Sequence, residues 1–174
     1  MTNFENLIAR RRSHRRFTDE AIDGELVKLL LRAALMSPTS KNQRAWKFVV
    51  VDDALKIEKL SDAKEMGSQF LKNAPLAIVV LGNGEENDCW IEDGSIAAFA
   101  MQLQAEALGL GSCWIQIRER HLSDGTDSET IVRGILDIPT EERVLCVLAF
   151  GHPADVRQPQ NEDRLKWERV VVSA

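Results

Sequence analysis

Between Pro75 and Gly82 the chain reads Leu76-Ala77-Ile78-Val79-Val80-Leu81, six apolar residues with no polar interruption. A strand with one wet face alternates apolar and polar residues, whereas an unbroken apolar run marks a strand covered on both faces. Such a strand needs a sheet around it and further layers above and below. Trp46–Val51, Ser112–Ile117 and Val144–Phe150 read as further strands, and Val170-Val171-Val172 as a fifth at the terminus. Helical spacing supplies the layers. Leu26, Leu29, Leu30, Ala33 and Ala34 recur on one face after Asp23, an N-capping residue, and Pro38 closes that helix. Thr2 and Glu5 have capping-box spacing for a short first helix. Asp52-Asp53 opens a short helix through Leu60, and Asp127–Leu136 is another. Lys64–Asn73 is irregular or weakly helical. The longest helical stretch, Asp88–Leu108, is apolar around more than one face, which predicts burial in the core or in a subunit interface. No repeat or linker divides the 174 residues, so they read as one domain.

One stretch belongs to none of these elements. Arg10–Phe17 reads Arg-Arg-Arg-Ser-His-Arg-Arg-Phe at the end of the first helix. Guanidinium forks beside a hydroxyl suit a compact dianion, since each fork can give two parallel charge-assisted hydrogen bonds to phosphate oxygens. A solvated basic face and a nucleic-acid arm are the competing readings. The formal net charge of −5 makes the cluster local on an acidic protein, which argues against a general polyanion binder. Cys89, Cys113 and Cys146 are odd in number and lack metal-like spacing, so they read as free thiols in a reducing compartment. The N-terminus lacks an apolar signal core and no run approaches the roughly 18 residues of a membrane span, so the expectation is a soluble cytoplasmic protein.

The familiar catalytic constellations are absent. His14, His121 and His152 are far apart with no zinc-like spacing, and there is no nucleophile elbow or P-loop. Gly82-Asn83-Gly84 lacks the third glycine of a dinucleotide fingerprint, and Glu85-Glu86 behind it would repel a pyrophosphate. Glu92 and Asp93 are adjacent on a helix and point about 100° apart, so they read as helix-start charges. Trp46 and Trp90 read as anchors of the core or an interface, and Cys113 as an inert buried thiol. An anion site without a protein-borne nucleophile points to chemistry carried by a bound cofactor.

Four blocks in order carry a resemblance: Arg11-Arg12-Ser13-His14-Arg15-Arg16-Phe17, Ser37-Pro38-Thr39-Ser40-Lys41-Asn42-Gln43-Arg44-Ala45-Trp46, Gly109-Leu110-Gly111-Ser112-Cys113-Trp114-Ile115 and Phe150-Gly151-His152-Pro153. Together they resemble the nitroreductase family of FMN-dependent oxidoreductases over nearly the whole chain. The resemblance implies an α+β fold, with a central mixed or antiparallel sheet flanked by helices, and a homodimer holding FMN at its interface. It assigns Arg11, Arg12, Ser13 and Arg15 to the ribityl phosphate. Pro38, Thr39, Ser40 and Asn42 fall in the loop that reaches FMN from the partner subunit. Trp114, Ile115, Gln116 and Ile117 lie along the isoalloxazine ring, and Arg164 and Lys166 complete the phosphate site. Two positions depart from the family pattern: Arg44-Ala45-Trp46 stands where Gln-Pro-Trp is common, and Gln116 where a carboxylate is common.

Three functions compete on these residues. The first is an FMN oxidoreductase passing electrons from NADH or NADPH to a nitroaromatic, quinone or other small acceptor. The second is a flavin-binding module without efficient turnover, used for storage or sensing. The third is a basic-arm nucleic-acid binder, which needs the arginines exposed.

Overall fold

The computed structural model describes residues 3–173. Four strands form one sheet in the order β1-β2-β4-β3, where β1 is Lys47–Val51, β2 Leu76–Gly82, β3 Gly111–Gln116 and β4 Arg143–Gly151. Every pairing is antiparallel, so within the chain the sheet is not mixed. β2 and β4 occupy the middle, and every residue of β2 is buried. The unbroken apolar run is thus the central strand that its composition demands.

Alternation splits the side chains of β2 between two cores. Ala77, Val79 and Leu81 face one layer together with Ile57, Leu60 and Val132 of helices α3 (Ala54–Ser61) and α5 (Ser128–Leu136). Leu76, Ile78 and Val80 face the other, against Leu30 and Ala34 of α2 (Gly24–Leu35) and Ala97, Ala98 and Met101 of α4 (Trp90–Ala107). The strand's period of two serves both layers at once. Trp46 and Trp90 are buried in this second core, as anchors should be.

The caps follow the chemistry of short polar side chains. Asp23, Asp53 and Asp127 each accept a backbone N–H in the first turn of α2, α3 and α5. Thr2 lies outside the described residues; helix α1 (Phe4–Arg10) is capped by Asn3, which accepts from the Glu5 N–H. The Lys64–Asn73 stretch closes in a 3-10 turn over Gln69–Asn73.

One expectation changes and another narrows. Val170-Val171-Val172 forms no strand in this chain; the three valines are 59%, 89% and 85% exposed. Hydrogen-bonding edges make a strand, and this tail meets no edge of its own sheet. Helix α4 is buried on one side within the chain, with Ile96 and Phe99 on the other side more than two-fifths exposed, so the core covers one face and the subunit-interface alternative applies to the other.

Candidate functional site

The basic stretch leaves α1 as extended chain and is held from both sides. Ser13 bridges Ser112 at the start of β3, and the His14 N–H donates to Ser112 O at 2.9 Å. On the other flank, Thr18 N donates to His152 O, Ala154 N to Arg16 O and Gln160 N to Ala9 O. An extended segment turns alternate side chains to opposite faces. Arg11, Ser13 and Arg15 gather around Cys113, whose thiol is pushed up by burial while Arg15, the Ser13 hydroxyl, Arg11 and Lys64 pull it back. Arg15 also lies 5.8 Å over the Phe70 ring. Among the described residues neither Arg11 nor Arg15 has a carboxylate within ion-pair distance, whereas Arg10 is committed to Glu106 at 3.2 Å. Two unpaired guanidinium groups flanking a hydroxyl fit a phosphate dianion.

Arg12 departs from its assignment. Its guanidinium turns to the opposite face and donates to the Gln158 carbonyl, so it braces the segment from behind. Lys64 joins the cluster instead. Its Nζ approaches Gln116 O at 3.4 Å, and burial, reinforced by the charge of Arg120, holds its ammonium below the ordinary value. The one signal for Lys64 in the sequence was its position at the head of an irregular stretch, which says nothing of where it points.

Along β3, Ile115 and Ile117 direct their side chains into the core and can offer a ligand only backbone. Trp114 and Gln116 share the other face, half-buried. The Trp114 indole N–H donates to Gln116 Oε1, and Gln116 Nε2 donates to Arg118 O, both at 2.9 Å. The amide standing where a carboxylate is common is therefore fixed in orientation. Past the Ser13–Ser112 bridge, no strand of the described chain covers the outer edge of β3.

The Pro38–Asn42 loop is built differently. Lys41, Asn42 and Arg44 each adopt a left-handed φ of 53°, which a glycine or asparagine takes readily and the other two do not. Side chains hold it there. Ser40 N donates to both oxygens of Asp93, at 2.9 and 3.1 Å, and Lys41 pairs with Asp88 at 3.1 Å. Asp93 is buried and also accepts from Asn87 Nδ2 at 2.7 Å. This carboxylate does start a helix, and it also anchors the loop, a role that spacing alone does not reveal. Arg44 donates to Asn42 Oδ1 at 3.2 Å, so its charge is folded back on the loop.

The cluster and the loop lie at opposite ends of α4. Asp93 is in its first turn, whereas Glu106, which holds Arg10, is in its last. Thirteen residues at 1.5 Å each set Asp93 and Glu106 about 20 Å apart along the helix. Arg164 and Lys166 lie in the exposed tail, Lys166 against Glu168 at 3.7 Å, and among the described residues no hydrogen bond ties either to Arg11, Ser13 or Arg15. Among the described residues no group of histidine, cysteine and acidic side chains could hold a metal ion, and no helix is long and apolar enough to cross a membrane.

The chain as a whole has counterparts of known structure and family. The Nitroreductase family model matches residues 8–152. A protein of Archaeoglobus fulgidus, provisionally named NADH dehydrogenase/NAD(P)H nitroreductase, is 32% identical over 169 residues, covering 94% of each chain. The solved structure of an FMN-dependent nitroreductase from Clostridium difficile R20291 superposes with a TM-score of 0.94 at 41% identity, covering 97% of this chain and 98% of that one. A provisionally named nitroreductase from Desulfovibrio desulfuricans, solved in complex with FMN, gives a TM-score of 0.78 at 25% identity over 100% and 99% of the two chains. The fold is the helix-flanked α+β sheet those structures share. The chain belongs to the nitroreductase family.

Proposed function

We propose that the protein is an FMN-dependent oxidoreductase that uses NADH or NADPH to reduce a small acceptor, a nitroaromatic or quinone among the candidates. The observation that carries this reading is the set of unpaired cations, Arg11 and Arg15, converging with Ser13 beside an uncovered strand edge. Arg11, Ser13 and Arg15 would bind the phosphate, with Lys64 beyond them. The outer edge of β3 from Trp114 to Ile117 would border the ring, its half-buried indole and fixed amide excluding water from one side. Bound flavin supplies the electron chemistry, which agrees with the lack of a nucleophile or acid–base pair among these side chains. A nucleic-acid arm would have to rely on the exposed Arg15 and Arg16, since Arg10 and Arg12 are engaged within the protein.

A homodimer completes the site in this reading. A chain whose loop and basic segment are anchored about 20 Å apart along α4 does not itself bring one over the other. Twofold packing of α4 through Ile96 and Phe99 would carry each loop, with Pro38, Thr39, Ser40 and Asn42, to the partner's cluster. It would also cover that exposed apolar face. The Val170–Val172 run, exposed here, has the character of a segment that adds to the open edge of another sheet, and β1 is such an edge. Arg164 and Lys166 would travel with that tail. The three free cysteines fit the reducing cytoplasm.

The test is an absorbance spectrum of the purified protein followed by NADH and NADPH oxidation with and without an acceptor. Flavin bands and acceptor-dependent oxidation are expected. Flavin bands without oxidation would leave a binding module only, and colourless protein that takes up no FMN would overturn the cofactor.

A further inference from the structure

The face of the arginine segment that turns away from the phosphate cluster carries its own polar network. His14 is buried, and its Nδ1 lies 2.9 Å from Asp155 Oδ1. Asp155 also takes Arg157 Nε at 2.8 Å. Burial pushes this carboxyl up, but the His14 hydrogen bond and the charges of Arg157, His14 and Arg16 outweigh it and leave the group below its usual range. Asp155 is therefore an ionised acceptor at neutral pH, and its bond with the imidazole is charge-assisted. Arg10, Glu106, Asp155 and Arg157 border a cavity of about 310 Å³ behind His14. On the β3 side the imidazole packs against Gly111, where an added Cβ would stand 2.9 Å from His14 Cβ.

On the opposite face Arg11, Arg15 and Lys64 all act on the buried Cys113 thiol, and among the described residues neither arginine has an ion-pair partner. Backbone bonds to Ser112, Ala154 and His152 hold the extended segment. Side chains add a grip on the C-terminal return, Arg12 on Gln158 and His14 on Asp155.

Resting on the FMN reading above, we propose that His14, through Asp155, is a positioning residue for the phosphate clamp: it ties the segment to the C-terminal return and thereby aims Arg11, Ser13 and Arg15 without touching the cofactor. Residues 152–158 then belong functionally to the site although they lie behind it.

The consequence is selective. A positioning role for the clamp must show in the affinity for FMN and not in that for riboflavin, which lacks the phosphate. The experiment is fluorescence titration of the flavin-free protein with each ligand. In His14→Ala and in Asp155→Ala the FMN dissociation constant is expected to rise about tenfold while that of riboflavin stays near wild type. His14→Asn, whose amide nitrogen can stand in for Nδ1, is expected to recover most of the loss. Gly111→Ala, which displaces the imidazole sterically, is expected to reproduce it. Variants that keep the wild-type ratio of the two affinities, whatever happens to their melting temperature, overturn the proposal. Wild-type protein that binds neither flavin overturns the FMN reading itself, a result distinct from a wild-type protein that binds both while its variants keep the ratio.

Discussion

The two ends of α4, which in our reading carry the two halves of one site, hold them by different means. At its C-terminal end the arginine segment is woven into the fold by backbone hydrogen bonds, to β3 on one flank and to the return after β4 on the other. Its charges stand on a scaffold that exists before any ligand arrives. At the N-terminal end the loop has three non-glycine residues in left-handed backbone and is held by two carboxylates, Asp93 and Asp88. Strained backbone persists only where surrounding contacts over-determine it. The anion-binding half is therefore preorganised by the sheet, whereas the half rich in hydroxyls and amides depends on a few side chains and, in our reading, on a second subunit.

The sharpest way to break this division is at the proposed twofold face. Phe99→Asp would set two carboxylates against each other in an apolar contact, a penalty of several kcal/mol, and should yield monomers at micromolar concentration by light scattering. Those monomers should retain weak phosphate-dependent flavin binding, because the cluster is intact in one chain. Next comes the cluster itself: Arg11→Ala or Arg15→Ala should each weaken FMN by roughly ten- to a hundredfold, with riboflavin little changed, by fluorescence titration. At the other end, Asp93→Asn removes a buried charged acceptor from the loop and should cost about 1–3 kcal/mol, read as a lower melting temperature.

Lys64 sharpens the comparison through pH. Its folded-state proton is held less tightly than in the unfolded chain, because of burial and then Arg120. The resulting penalty is fully present below the folded value and is relieved as pH climbs through it toward the ordinary 10.5. Lys64→Met should then raise the melting temperature of the flavin-free protein near neutral pH, with the gain shrinking at alkaline pH. The smallest effect is expected at Arg44. Because its guanidinium is folded onto Asn42, Arg44→Gln should move acceptor and donor kinetics by no more than a few tenths of a kcal/mol, with little salt dependence.

Much of the fold was legible because it is local. A six-residue apolar run, aspartates ahead of amphipathic stretches and the four strands each declare themselves within a dozen residues. What escaped depends on partners far along the chain. The Val170–Val172 run has strand composition, but composition cannot supply an edge to pair with. Arg12 is chemically equal to its neighbours, and which face it takes is set by the alternation of an extended segment against Gln158. His14 and Asp155 are 141 positions apart, and Asp93 is 53 from the Ser40 N–H that it receives. Charge alone left the basic cluster open between a solvated face and an anion site, and it gave no hint that Arg12 turns away from Arg11 and Arg15.

The closure of the arginine segment by residues 152–160 also has a consequence in time. The contact between Arg12 and Gln158 spans 146 positions. A ribosome therefore emits the clamp first and its brace last, after the entire sheet has passed. Contacts of such separation form late, since the loop entropy must be met before they contribute. Until residues 152–160 emerge, a nascent chain carries its arginines without this brace, so in our reading cofactor loading follows the folding of the return onto the segment.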